Sequence, residues 1–223
     1  FKNKKGLNAL VLAVLKKHEK VALFLFETYL KTSFKTEKEF LENIYYPTLS
    51  PHTAVALATY QESTGMVQGM VKLLNKIDGE NFRPKWKWAY LDTKDQMGNT
   101  ALIFAASMGF EDIAESLFVG GASVQVKNRS GGTALSLATQ NHHNDLLGCL
   151  IGVLEFELND KKLDSSFFVN HMTQCAEVAI KFHNTLGLQI ILMARAKKAK
   201  ESKIKKPSNE YLLQLALREN LRD

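Results

Sequence analysis

Residues 95–127, DQMGNTALIFAASMGFEDIAESLFVGGASVQVK, and residues 128–151, NRSGGTALSLATQNHHNDLLGCLI, carry nearly the same message twice. Asp95, Gly98, Thr100, Ala101, Leu102 and Ala105 are followed 33 positions later by Asn128, Gly131, Thr133, Ala134, Leu135 and Ala138. The shared frame is a polar turn, a glycine, Thr-Ala-Leu, a helix of small residues and a second helix rich in leucine. A period of this length predicts stacked two-helix units, because one unit exposes apolar surface on both flat faces and gains stability only from its neighbours. Alanine suits the first helix, where adjacent units approach closely, and Leu or Ile on the second fills the wider space outside.

This frame resembles the ankyrin repeat, whose pattern is D-x-x-G-x-T-P-L-H-x-A-A-x-x-G, then a leucine-rich helix and G-A-D-V-N. Gly120, Gly121, Ala122, Ser123 and Val124 supply a close version of that ending. Ala101 and Ala134 stand where most members have Pro, and Ile103 and Ser136 stand where they have His. Loss of that His removes a polar link between turns and leaves the apolar packing intact. The resemblance implies an all-α fold, an ankyrin-repeat solenoid of stacked helix-turn-helix units with short hairpin loops, and a role in binding other proteins.

Outward from the clear pair the pattern weakens but can be followed. Residues 4–30 fit with Ala13 in the alanine position, and Val21, Leu25 and Phe26 fall where Ile113, Leu117 and Phe118 fall. Residues 51–75 follow with Ala58, residues 168–198 form a degenerate repeat with Ala179, and residues 208–223 begin another with Ala216. Two insertions, 31–50 and 76–94, interrupt this ladder. In the first, Thr36 and Glu39 have capping-box spacing and predict a short extra helix ending near Tyr45. In the second, the alternation of Trp86, Trp88 and Tyr90 has the period of a strand and predicts a lengthened hairpin finger. Neither end looks like a natural terminus, so a longer parent protein is expected.

Charge and cysteine usage exclude several classes. The formal charge of +6 is all supplied by residues 195–206, so the excess is a local tag and the chain as a whole does not read as a nucleic-acid-binding surface. A solvated helix end, a nuclear-import signal or a contact with acidic protein or phosphate are the readings of that run. Cys149 and Cys175 are too few for a disulfide framework and point to a reducing compartment. Cys149 reads as a small buried helix residue. Cys175 has His171 four residues before it and His183 eight after it, the elements of a Cys-His pair, but no third orienting group or oxyanion site is identifiable. His142 and His143 sit at an inter-helix turn without metal-ligand spacing. No catalytic, cofactor or metal site is expected, and no apolar run is long enough for a membrane span.

Function is therefore expected on the face made by the turns and the first helices. It would display Leu15, Lys16, Tyr60, Gln61, Gln96, Met97, Asn99, Ser107, Met108, Lys127, Arg129, Ser130, Gln140 and Asn141 to a protein partner, with Trp86 and Trp88 as aromatic anchors on the finger. A monomer in the cytoplasm is expected. The Thr-Ala-Leu variant, the irregular spacing and the Lys- and Asn-rich loops resemble secreted ankyrin effectors of intracellular bacteria, which implies a host protein as partner. The alternative is a targeting segment of an enzyme whose catalytic domain lies elsewhere in the parent chain.

Overall fold

The computed structural model describes residues 8–31, 45–46, 52–76, 89–159, 165–201 and 213. It is helical in pairs: α1 (Ala9–Leu15) with α2 (Glu19–Leu30), α3 (Ala54–Tyr60) with α4 (Thr64–Lys76), α5 (Ala101–Met108) with α6 (Glu111–Val119), α7 (Ala134–Gln140) with α8 (Asn144–Asn159), and α9 (Ser165–Lys181) with α10 (Thr185–Glu201). Among the described residues the strands form one two-residue antiparallel pair, β1 (Tyr45–Tyr46) against β2 (His52–Thr53), with Tyr45 opposite Thr53, and Asn8 makes an isolated bridge. The fold is all-α, as the Thr-Ala-Leu frame requires.

One turn geometry joins every pair. The carbonyls of Ala13, Ala58, Ala105, Ala138 and Ala179 each accept a hydrogen bond from the amide five residues later, of His18, Ser63, Phe110, His143 and Asn184, at 2.8–3.0 Å. The residue just before each of those amides is left-handed: Lys17, Glu62, Gly109, His142 and His183, with φ between 55° and 76°. This αL stop satisfies carbonyls that the helix end would otherwise orphan. The five alanines are all buried. First helices begin with side-chain caps: the Asn8 carboxamide accepts from Val11 N at 2.8 Å, and the Thr53 and Thr100 hydroxyls accept from Ala56 N and Ile103 N at 3.2 Å.

The chain divides into two compact units, residues 1–106 with 110–134, and 107–109 with 135–223. In the first, α1 packs on α2 and α3, α2 on α4, and α4 on α3 and α6. The outer helices meet at glycines: a Cβ at Gly69 would lie 2.7 Å from the Leu23 methyls, and one at Gly120 would lie 2.9 Å from Val71 Cγ1. Gly98 and Gly131, at φ 80° and 82°, allow the hairpin bends. In the second unit α10 packs on α9 and α8, around Leu154, Phe168, Met172 and Ile191, all buried. Residues 107–109 belong to this unit, and in it Ser107 O accepts from both Asn141 Nδ2 and His143 Nε2.

Four expectations are corrected. Residues 89–91 are a helical turn, so the strand period does not reach Tyr90, whose ring is fully buried 6.0 Å from Phe26. Burial of an apolar ring outweighs a local alternation when one side of that ring meets a core. Trp86 and Trp88 lie outside the described residues, as does the Thr36–Glu39 capping box; the extra helix does not extend to Tyr45, which pairs as a strand with Thr53. Val21 is 52% exposed where Ile113 is buried, and Phe26 is buried where Phe118 is half-buried. The buried face of α2 thus runs Ala22, Phe26, Leu30, and the helix packs on both α1 and α4. Cys149 is exposed.

Ala58→Leu is expected to overpack the junction of α3 with α1 and α4 and lower stability by about 1–3 kcal/mol. Glu62→Gly removes a side chain from a left-handed position and is expected to raise stability by up to about 1 kcal/mol. Urea denaturation followed by helical circular dichroism measures both signs.

Candidate protein-interaction surface

The most completely wired part of the first unit is the pair of hairpin turns. Asp95 Oδ1 accepts from the amides of Met97 (2.8 Å) and Asn99 (2.7 Å), and the Asp95 amide donates to Asn99 O. Asn128 repeats the arrangement: its Oδ1 accepts from the amides of Ser130 (3.1 Å) and Gly132 (2.7 Å) and from Ser130 Oγ, while its own amide donates to Gly132 O. The two turns are tied together, with Arg129 N donating to Met97 O at 3.0 Å and Asn128 Nδ2 donating to Asn99 Oδ1 at 2.9 Å. Lys94 Nζ reaches Lys127 O at 2.8 Å.

Tyr60 extends this ladder to the preceding helix pair. Its hydroxyl donates to Asp95 Oδ2 at 2.9 Å, and its ring meets Phe104 edge-on at 4.2 Å. Burial, then the Asp95 hydrogen bond, push the Tyr60 phenol well above its ordinary range. At the same end of α3 the Gln61 side-chain amide donates to Leu15 O, and Lys17 Nζ donates to Gln61 O, both at 3.2 Å.

The consequence is a division of labour among the expected binding residues. Tyr60, Gln61 and Asn99 are half-buried and committed to holding turns, so their role is to position. Gln96, Met97, Lys127, Arg129 and Ser130 are exposed on the turn segments, and Leu15 and Lys16 are exposed at the end of α1. Met97 stands out at 68% exposure, with both its amide and its carbonyl already bonded. In the second unit Ser107 and Gln140 are half-buried, Asn141 is exposed and tied to Ser107, and Met108 is 50% exposed. Asp95 and Asn128, the hubs of the network, were not among the expected site residues although their aligned positions mark them as a repeated feature.

A further ladder in the second unit uses His142, His143 and Asn184. His142 Nε2 donates to Phe182 O at 3.0 Å, His143 Nε2 to Ser107 O at 3.1 Å, and Asn184 Nδ2 to Thr139 O at 2.8 Å. The two histidines are spent on carbonyls, and no cluster of metal-ligating side chains occurs among the described residues. Cys175 is buried, and burial pushes its thiol up to about 12, which leaves almost no thiolate near neutrality. The neighbouring His171 is buried with its ring stacked on Phe167 at 5.6 Å, and His183 is exposed in the next turn. Of the basic run, Arg195 and Lys198 are buried in the fold and Lys197 is paired with Glu155 at 2.8 Å. No helix among the described residues is long and apolar enough to cross a membrane.

Residues 68–162 match the family model for ankyrin repeats, in three copies. No curated protein matches the chain. Ankyrin repeats mediate protein–protein interaction, and the repeats themselves are non-catalytic interaction modules.

Two outcomes check the electrostatics of the site. In the native chain a bulky thiol reagent is expected to modify Cys149 and spare Cys175, with the second thiol reacting only in denaturant; Cys149→Ser is expected to abolish native-state labelling. Asp92 accepts from Ser123 N at 2.9 Å, yet burial raises its carboxyl above the ordinary value. A raised folded-state value means that ionisation costs the folded state more than the unfolded one, so this group's contribution falls as pH rises from about 4. Asp92→Asn keeps the acceptor and is expected to lose that pH dependence, seen as a thermal midpoint that gains on the wild type between pH 3 and pH 7.

Proposed function

We propose that this chain is a docking module that binds a protein partner through the tips of its hairpin turns, with Gln96, Met97, Arg129 and Ser130 as the principal contacts and Leu15 and Lys16 extending the surface. One observation carries the reading: the turn backbones are satisfied from within by Asp95 and Asn128, so the exposed side chains are presented from a preorganised frame. Preorganisation lowers the ordering cost of association. Met97 gives an adaptable apolar centre, and Arg129 a forked donor beside it, both residue types enriched at interfaces. Met108, Gln140 and Asn141 offer the same kinds of side chain in the second unit, and Trp86 and Trp88 remain anchor candidates on the insertion.

The specific setting that the Thr-Ala-Leu variant and the Lys- and Asn-rich loops favour is that of an effector acting on a host protein in the cytoplasm. With Arg195 and Lys198 buried, nuclear import through the basic run would rest on its other cations.

The test must spare Tyr60, whose loss would break the Asp95 tie. A photo-crosslinking residue at position 97 is expected to give a discrete adduct in cells, abolished by Arg129→Glu with the helical spectrum unchanged. The same residue at Thr28, exposed on α2, is expected to give none. Identical adducts from both positions, or an adduct indifferent to Arg129→Glu, would sink the proposed surface.

A further inference from the structure

The outer helices of the first unit carry a groove that the turns do not share. Between α4 and α6 lies an open channel of about 590 Å³, lined on one side by Gln68, Lys72, Asn75 and Lys76 and on the other by Glu115, Ser116 and Val119, with Val71 at its base. Val71 is buried and Val119 is 64% exposed, so the channel has an apolar floor with one uncovered edge. Close approach of the two helices is enforced at Gly120, where a Cβ would lie 2.9 Å from Val71 Cγ1. None of the lining residues belongs to a first helix or a hairpin turn.

Charge is arranged across the channel. Lys72 and Lys76 are exposed one helical turn apart on the α4 wall, and among the described residues neither is held in an ion pair. Like charges at this spacing repel, a modest cost that an anionic guest would reverse. Lys76 is close enough to lower the Glu27 carboxyl, but that carboxylate is already bonded to Lys31 at 2.8 Å. On the opposite wall Glu115 is exposed, and the Ser116 hydroxyl donates to Asp112 O, which leaves its oxygen able to accept.

We infer that this groove binds an extended segment of a partner protein in which acidic residues alternate with aliphatic ones, two carboxylates meeting Lys72 and Lys76 and an intervening aliphatic side chain covering Val119. The spacing of the two lysines suits the extended form. Residues four apart on α4 rise about 6 Å. Alternate side chains of an extended strand are about 6.8 Å apart, which matches that separation and directs the residue between them to the other side. Glu115 then meets a donor on the partner, a backbone amide or a basic side chain.

A fluorescein-labelled hexapeptide of three Glu-Val units is the probe, titrated into the 223-residue chain and followed by anisotropy. A Lys-Val hexapeptide is the control. Binding of the acidic peptide alone is expected, weakening with added salt. The pair Lys72→Glu and Lys76→Glu is expected to reduce affinity at least about tenfold, and Val119→Ser several-fold with no change of charge. Methyl resonances of Val71 and Val119 should shift on titration in the unaltered chain, a readout that needs no variant. Absence of binding by the Glu-Val peptide, equal binding of both peptides, or wild-type affinity in the lysine variant would each overturn the inference. So would a loss produced equally by Arg129→Glu, since that residue lies on the turns and should leave the groove untouched.

Discussion

A carbonyl at the end of a short helix must find a donor, and the recurring alanines solve that problem the same way five times. Ala13, Ala58, Ala105, Ala138 and Ala179 accept from the amide five residues on, through a left-handed residue in between. This stop ends the first helix and reverses the chain, so the second helix can lie back against the first. The alanine is buried at the point where the chain reverses, and a larger side chain would press on the neighbouring helix. Four of the five left-handed positions are not glycine, which stores strain of order 1–3 kcal/mol at each. The surrounding packing holds them there.

Once the turns are set, polar side chains from one pair reach carbonyls of another. Gln61 to Leu15, Asn141 to Ser107, His142 to Phe182 and Asn184 to Thr139 are the same kind of contact made by different residue types. The hairpins add Tyr60, Asp95, Asn99 and Asn128, linked in series. The Asn184 bond is buried and the Gln61, Asn141 and His142 bonds are exposed, and the net worth of a bond of this kind is roughly 0.5–1.5 kcal/mol at most. Both candidate surfaces depend on this rigidity, the hairpin tips directly and the α4–α6 groove through the close contact at Gly120.

Helix pairing was legible in the sequence wherever packing forces a small residue. The aligned alanines and the Thr-Ala-Leu caps are visible because neither position tolerates much variety. The polar ladders were not, since a carbonyl accepts equally from Gln, Asn, His or Lys and imposes no pattern on the residue that reaches it. Tyr90 was misjudged for a different reason: the local alternation in the insertion is real, but a ring that meets Phe26 in the core follows the core. Cys149 looked like a buried helix residue among leucines, yet it falls on the open side of α8, where Gly148 and Gly152 have nothing within 4 Å of a Cβ position. The outer groove left no trace in the repeat pattern, because it arises from what two helices do together at Val71 and Gly120.

The aligned alanines are 45, 47, 33 and 41 positions apart in the chain, while the reversal at each of them has one form. Each reversal closes within five residues and takes no part of its geometry from the connection that follows the second helix. Connections of quite different length therefore serve the same architecture, at an entropic cost that grows by only about 0.6 kcal/mol for each doubling. Such joints are natural sites of lineage-specific growth, where a duplicated or foreign segment can be grafted and given a new task while the scaffold around it keeps its form.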